Sequence, residues 1–215
     1  MFITFEGIEG SGKSTLIPLV ERELTAAGED VLRTREPGGT PLGEAVRKVF
    51  LHDPGQQINP IAEVMLMNAS RAQLCTDVIR PALRAGKTVL SDRFYDATIA
   101  YQGYGRALEI EGLLQVCLVA TGGLSPDLTF LLDITPEVSH ERIVARAEQD
   151  HHPVDRLEAE SLEFHRRVRD GYLVMARRWT SRFVVLDGTR QPEALVGEAL
   201  TAIEHLRARI RTVIP

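Results

Sequence analysis

The sequence predicts an α/β protein, a doubly wound parallel sheet of about five strands with helices on both faces. Three observations carry this reading. Short apolar runs alternate with longer helical patterns along the whole chain, as in a parallel sheet covered on both sides. The apolar runs do not alternate with polar residues, which suits strands buried on both faces. Finally, Gly7-Ile8-Glu9-Gly10-Ser11-Gly12-Lys13-Ser14 satisfies G-x-x-x-x-G-K-S/T at every fixed position.

The elements follow in order. The first strand, Ile3–Glu6, lies in the run Phe2-Ile3-Thr4-Phe5, and helical spacing through Leu16, Leu19, Val20 and Leu24 follows the glycine loop. Strand, glycine-rich turn and helix N-terminus in that order make a phosphate cradle, because the glycines let successive N–H groups point inward. Lys13 then reaches the β- and γ-phosphates of a nucleoside triphosphate, and the Ser14 hydroxyl is placed to hold Mg²⁺. Further strands are expected at Val31–Thr34, Thr88–Ser91, Leu128–Leu132 and Phe183–Leu186. Helices are expected at about 13–27, 41–51, 60–85, 94–102, 108–121, 136–148, 157–179 and 192–210. Gly28, Gly86 and Gly122-Gly123 close helices, and Pro136 and Pro192 suit first turns. Pro18 lies inside the first helix, where it removes a hydrogen bond and predicts a kink or a loosened first turn. In 157–179, Leu157, Ser161, Phe164, Val168, Tyr172, Met175 and Trp179 share one face, a core stripe and not a set of ligand contacts. The opposite face, with Arg166, Arg167, Arg169, Arg177 and Arg178, reads as solvated. Glu36-Pro37 before Gly38-Gly39 marks a sharp turn, for which a cis peptide is a low-cost solution. With no repeat and no Gly/Ser linker, residues 1–215 read as a single domain.

Composition narrows the class. A chain of 215 residues, 44% hydrophobic and 26% charged, is ordinary for one globular α/β domain with a substantial core. A formal charge of −5 argues against a nucleic-acid surface, which needs a basic excess, but leaves room for small anions held by local arginines. Cys75 and Cys117 have apolar neighbours and no C-x-x-C spacing, as free thiols of a reducing compartment do. Glu6, Glu9 and Lys13 leave no signal peptide, and no apolar run is long enough to span a bilayer. A cytoplasmic location without membrane attachment is therefore expected.

A phosphate loop alone leaves ATPases, GTPases and small-molecule kinases open. The GTPase reading lacks an N-K-x-D segment. Two strands end in a bare acidic residue, at Asp92 and Asp133. Asp92 is followed by Arg93, and an acidic group near a metal beside a guanidinium suits a site with two phosphate-bearing substrates. Asp133 reads as a structural residue at a helix-entry turn. Arg35 follows the second strand, where the carboxyl edge of a parallel sheet gathers ligands. Arg47 falls about one helical turn further on, and Arg71 lies in an otherwise apolar helix. A P-loop binding module or regulatory ATPase is the alternative of another class, and a kinase for another nucleotide is the alternative within the class.

Phe5-Glu6-Gly7 running into the loop, Arg35–Thr40 (REPGGT), Ser91-Asp92-Arg93-Phe94 and Ala100–Arg106 (AYQGYGR) together resemble the bacterial thymidylate kinases over essentially the whole chain. The resemblance implies transfer of the γ-phosphate of ATP to dTMP, giving dTDP for dTTP synthesis, with Mg²⁺ as cofactor and a homodimeric state. It implies an ATP site of Gly7, Ile8, Glu9, Gly10, Ser11, Gly12, Lys13, Ser14, Thr15 and Arg142. For the acceptor it implies Arg35, Arg47 and Arg93 around the phosphate, Pro37 among the dTMP-binding residues, and Glu9 at the deoxyribose 3′-hydroxyl. Met67, Arg71 and Thr98 would read thymine, Tyr101 would sit under C2′, and Gln102 would close the pocket. Lys13, Arg93, Arg146 and Asp92 would carry the catalysis, with Ser14 and Asp92 near the metal, directly or through water. The Met67 position often holds an aromatic in the family, and methionine covers a base with less defined geometry. A mobile lid is placed at about 142–156, where Arg146 aligns best with the family's catalytic arginine and Arg142 and Arg156 compete for the role. His151-His152 in this lid has neither helical spacing nor a third ligand and reads as solvated loop.

Overall fold

In the computed structural model, which describes residues 1–51, 57–150 and 154–213, the sheet order is β2-β3-β1-β4-β5. The strands are β1 (Phe2–Glu6), β2 (Val31–Arg35), β3 (Thr88–Asp92), β4 (Leu128–Asp133) and β5 (Phe183–Asp187). All pairings are parallel. β1, at the centre, is buried along its whole length, whereas the edge strands β2 and β5 carry exposed positions. Each of the four later strands runs one residue beyond its expected end, and these last residues are polar: Arg35, Asp92, Asp133 and Asp187. Arg35 pairs in register with Asp92, and Asp92 with Phe5, so the sheet itself lines up a charged carboxyl edge.

The helices are α1 (Lys13–Ala26), α2 (Pro41–Leu51), α3 (Pro60–Leu74), α4 (Arg80–Arg84), α5 (Tyr95–Thr98), α6 (Ile110–Thr121), α7 (Pro136–Asp150), α8 (Leu162–Arg178) and α9 (Pro192–Val213). They make two cores. On one face of the sheet, Leu16, Ile17, Val20 and Leu24 of α1 meet Leu195, Ala199 and Ile203 of α9 over Ile3, Phe5 and Phe130. On the other, Val64, Leu74, Cys117, Phe164, Val168 and Tyr172 pack with Phe2, Val89 and Phe94. Both cysteines are free and buried. Among the described residues no helix is long and apolar enough to cross a membrane. His151-His152 lies outside the described residues.

Several boundaries depart from expectation for identifiable reasons. The expected 60–85 helix is interrupted by a π turn, Cys75–Ile79, in which the Arg80 N–H donates to Cys75 O. Pro81 has no N–H to continue the ladder, so the hydrogen-bond register shifts before it. A second π stretch, Ile99–Gly105, prolongs α5 beyond the expected end at 102. α6 starts at Ile110, with the Glu109 carboxylate accepting the N–H groups of Glu111 and Gly112. α8 begins only at Leu162, capped by Ser161. The residues before it turn instead, because the Asp155 carboxylate accepts from the N–H groups of Leu157 (2.8 Å) and Glu158 (2.9 Å). Pro18 does not break α1, which is helical from Lys13 to Ala26. The Glu36-Pro37 peptide is cis.

Candidate active site

The loop after β1 is shaped by backbone that side chains would obstruct. Gly7 has φ +136°, and a Cβ there would lie 2.5 Å from Leu132 O. Gly10 (φ +67°) passes close under α7, where a Cβ would meet Ser139 O at 3.1 Å. α7 pins the loop from outside: Ser139 Oγ donates to Glu9 O (2.7 Å), and Arg142 donates to Gly10 O and Gly188 O (3.0 Å each). Lys13 lies inside, donating from Nζ to Gly7 O (2.9 Å), Ile8 O (3.1 Å) and Ser11 Oγ (3.2 Å). Burial, reinforced by the Arg93 guanidinium, lowers its ammonium to about 8. Ser14 and Thr15 are exposed at the start of α1, whose N-terminal N–H groups suit phosphate.

Beside the loop, Arg93 follows β3 with φ +70°, a left-handed conformation that a non-glycine residue holds only under constraint. The constraint is visible: the Arg93 N–H donates to Phe5 O (3.0 Å) and Ser91 Oγ donates to Arg93 O (2.7 Å). So held, the guanidinium donates to Glu9 Oε1 (2.8 Å), Tyr101 Oη (3.0 Å), Tyr172 Oη (3.2 Å) and Gly7 O (3.1 Å). Tyr101 Oη donates to the same Glu9 oxygen at 2.6 Å. Burial pushes the Glu9 carboxyl up, but Arg93, His165 and Lys13 together outweigh it and hold the group below the usual carboxylate range. Underneath, Glu6 accepts from the Phe94 N–H (2.8 Å) and Tyr172 Oη (2.6 Å). Tyr172 is thus a core residue, as its stripe implied, whose hydroxyl also braces Arg93. Asp133, paired with Arg169 at 2.7 and 2.9 Å, ties β4 to α8.

The cleft between loop, β2–α2 connection and α7 is lined by Glu9 to Ser14, Arg35, Pro37, Arg47, Met67, Asp92, Arg93, Tyr101, Gln102 and Arg146. Arg35 pairs with Glu44 (3.0 Å) and Arg47 donates to Pro37 O (3.1 Å), so both sit at one end of the cleft. Arg71 and Thr98 stand behind this lining, fully buried. Arg71 donates to Glu36 Oε2 (2.8 Å), Asn68 Oδ1 (2.9 Å) and Thr98 Oγ1 (3.0 Å). The buried Asp92 Oδ1 has no hydrogen-bond partner.

The three arginines of the segment expected to form a lid have different surroundings. Arg142 is engaged by the carbonyl of Gly10 in the P-loop and that of Gly188 after β5. Arg146 lines the cleft and donates to Glu158 Oε1 at 2.5 Å. Arg156 is buried, donating to Phe50 O (2.9 Å) and Glu63 Oε1 (2.6 Å). Glu63 also accepts from Gln102 (2.9 Å) and Arg106 (3.1 Å) and so joins α3, the AYQGYGR segment and the turn at Arg156. Sequence reasoning passed over Glu63; its spacing of four from Met67 and eight from Arg71 puts it on the same helix face. Asp155 and Glu158, which line the cleft, were also missed. Burial, with Glu158 and Glu9 nearby, raises Asp155 to about 6.

A doubly wound sheet whose central strand feeds a P-loop, with a second set of arginines facing it across the cleft, defines a P-loop kinase. A family model described as thymidylate kinase matches residues 5–199. Thymidylate kinase of Deinococcus radiodurans is 49% identical over 205 residues, covering 95% of this chain and 97% of its own. That of Citrifermentans bemidjiense is 49% identical over 203 residues, covering 93% and 90%. The crystal structure of thymidylate kinase from Ehrlichia chaffeensis superposes with a TM-score of 0.76 at 32% identity, covering 95% of this chain and 98% of that one. The chain belongs to the thymidylate kinase family.

Proposed function

We propose that this chain transfers the γ-phosphate of ATP to dTMP, giving dTDP and ADP, in the supply of dTTP. The observation that carries the reading is the Glu9–Arg93–Tyr101 cluster, which places a carboxylate, a guanidinium and an aromatic hydroxyl between the P-loop and the Arg35–Arg47 end of the cleft. The acceptor phosphate lies against Arg35, Arg47, Pro37 and Arg93, and Glu9 receives the 3′-hydroxyl. Tyr101 covers C2′, Met67 and Gln102 line the base, and Arg71 and Thr98, bonded to each other at 3.0 Å, back that lining from behind. A phosphate monoester has its second pKa near 6, so the attacking oxygen is already ionised and no general base is required. The residues have to overcome repulsion between two phosphate groups and hold them in line. Lys13 exchanges its loop carbonyls for phosphate oxygens, and Arg93 bridges the groups. Arg146, on the lid at 142–156, adds charge on closure, which also excludes water.

Ser14 and Asp92 suit Mg²⁺: a hydroxyl at the helix N-terminus and a buried carboxylate oxygen without a partner form a hard oxygen set. Bound there, the ion would neutralise charge on the β- and γ-phosphate oxygens. A homodimer is supported by Ile61 and Met65 of α3 and Val119 of α6, apolar and exposed on two helices that pack together. A cytoplasmic location is supported by the two free thiols. The test is an acceptor panel of dTMP, dUMP, UMP, CMP and AMP with ADP release as readout. ADP release should depend on acceptor and be fastest with dTMP; ATP turnover without acceptor dependence would overturn the reading.

A further inference from the structure

Glu63 has no open surface of its own, yet it touches the cleft through a neighbour. It lies in the first turn of α3 and is fully buried. Two arginines pin its carboxylate. Arg156 donates to Oε1 at 2.6 Å, and Arg106 donates to Oε1 at 3.1 Å and to Oε2 at 3.4 Å. Both arginines are fastened elsewhere: Arg156 to Phe50 O (2.9 Å) and over the Phe50 ring, Arg106 to Glu160 (2.6 Å) and over the Phe164 ring. The carboxylate is therefore held with Oε1 toward the arginines. Oε2 faces Gln102 and accepts from its Nε2 at 2.9 Å.

That contact fixes the polarity of Gln102. An amide carries a donor and an acceptor on opposite sides of one carbon, and a carboxylate only accepts. Reversing the amide would set two acceptors against each other at 2.9 Å, so Nε2 stays on Glu63 and Oε1 is turned away from it. Gln102 lines the cleft with 2% of its surface open. Its Oε1 takes no hydrogen bond among the described residues and keeps contact with solvent, unlike the sealed Glu9 Oε2. Gln102 thus offers the cleft an acceptor. Thymine and uracil carry a ring N–H between two carbonyls, whereas cytosine has a bare acceptor nitrogen in that place. We infer that Glu63 is a positioning residue for acceptor selection: it holds Gln102 as an acceptor and so favours nucleotides with a ring N–H over cytosine nucleotides. The inference rests on the proposed placement of the base against Gln102 and names what sets the polarity of that contact.

The experiment measures kcat/KM for dTMP, dUMP and dCMP with the wild type, Glu63→Gln, Gln102→Met and the double variant, with thermal unfolding as a check on folding. In Glu63→Gln the two arginines keep the side-chain oxygen, so the new NH₂ falls opposite Gln102 and turns that amide over. The preference for dTMP over dCMP should fall by about tenfold or more, the scale of one hydrogen bond exchanged for a clash of like groups. The ratio of dTMP to dUMP, which share the ring N–H, should stay within about twofold. A loss of packing alone would weaken all three acceptors together. Adding Glu63→Gln to Gln102→Met should move the dTMP to dCMP ratio less than about twofold, because Glu63 acts through the amide already removed. If Glu63→Gln does not fold, a crystal structure of the wild type with dTMP carries the test. Gln102 Nε2 should stay about 2.9 Å from Glu63, with Oε1 at hydrogen-bond distance from the ring N–H. An unchanged dTMP to dCMP ratio in Glu63→Gln, a further fall in the double variant, or a Gln102 amide that leaves Glu63 would overturn the inference and leave transfer to dTMP standing. A wild type that uses dCMP as well as dTMP would instead overturn the proposed acceptor, and the inference with it.

Discussion

On the wall of the cleft formed by the sheet edge and P-loop, Lys13 has three oxygen partners, Arg93 has four, and Glu9 and Tyr101 bond to Arg93 and to each other. On the wall formed by α7 and the turn before α8, Arg146 is 41% exposed and its Nη2 rests on one carboxylate, Glu158. The Arg146 Nε is buried with no partner. The first wall is preorganised: its charges are held by several partners at once, so meeting a phosphate exchanges hydrogen bonds at side-chain tips without reshaping the backbone. Arg146 has a single carboxylate partner, which a phosphoryl group must replace, and it lies one turn beyond the Ser139 and Arg142 contacts that tie α7 to the P-loop. The proposed function accordingly uses the two arginines at different stages: Arg93 for assembling the two substrates, Arg146 for the moment of transfer.

The most severe way to break this contrast is at Lys13. Lys13→Met removes a fixed cation from developing charge, and kcat should fall about 10²–10³-fold, the range for losing one preorganised electrostatic partner. Steady-state kinetics with the fold checked by circular dichroism measures this; retention of more than a tenth of the turnover would place the phosphate elsewhere. A smaller effect sharpens the contrast. Arg146→Ala should lower kcat about 10- to 100-fold while the KM values for ATP and dTMP stay within about threefold, the pattern of an interaction made only in the transition state. A raised KM with kcat intact would make Arg146 a binding residue and move the catalytic role to Arg142 or Arg156. Of these, Arg142 is already committed to the carbonyls of Gly10 and Gly188 and Arg156 to Glu63 and Phe50 O.

The preorganised wall was also the more legible one. Gly7, Gly10 and Gly12 all take positive φ, and a motif that depends on backbone shape within a few residues shows itself in sequence. Asp92-Arg93 was legible for the same reason, since a strand end orients both. What sequence did not reveal is long-range. Arg71 meets Glu36 across 35 positions, Arg156 meets Glu63 across 93, and Tyr172 meets Glu6 across 166. Periodicity placed the Tyr172 ring in the core but carries no information about its hydroxyl. Helix bounds failed where a side chain outbid the pattern: Asp155 captured the N–H groups of Leu157 and Glu158, and Pro81 withheld one from the ladder after α3. Arg71 and Thr98 were recognised as a pair by resemblance, and their burial behind the cleft lining could come only from the fold.

The least drastic probe of the fixed wall is the protonation of Glu6. Its carboxyl is pushed up to about 8, by burial first and then by Asp96, against the opposing pull of Arg93, Tyr172 and the Phe94 N–H. The unfolded value is 4.5, so between pH 4.5 and 8 the folded chain keeps a proton that the unfolded chain has lost. A raised carboxyl pKa therefore stabilises fully below pH 4.5, and that contribution is lost as pH rises through 8. Glu6→Gln keeps a neutral polar group of the same shape at every pH and has no such loss. Stability of the wild type relative to Glu6→Gln should fall from pH 5 to pH 8, by up to about 1.4 kcal/mol per pH unit. Urea midpoints at pH 5, 6, 7 and 8, with the denaturant slope held in common, measure the difference. A difference that stays flat would mean Glu6 is ionised throughout, with Arg93 prevailing over burial. In that case Arg93 would be held from below by a charge as well as from the side by Glu9, and its guanidinium would be less available to a phosphate than the proposed mechanism requires.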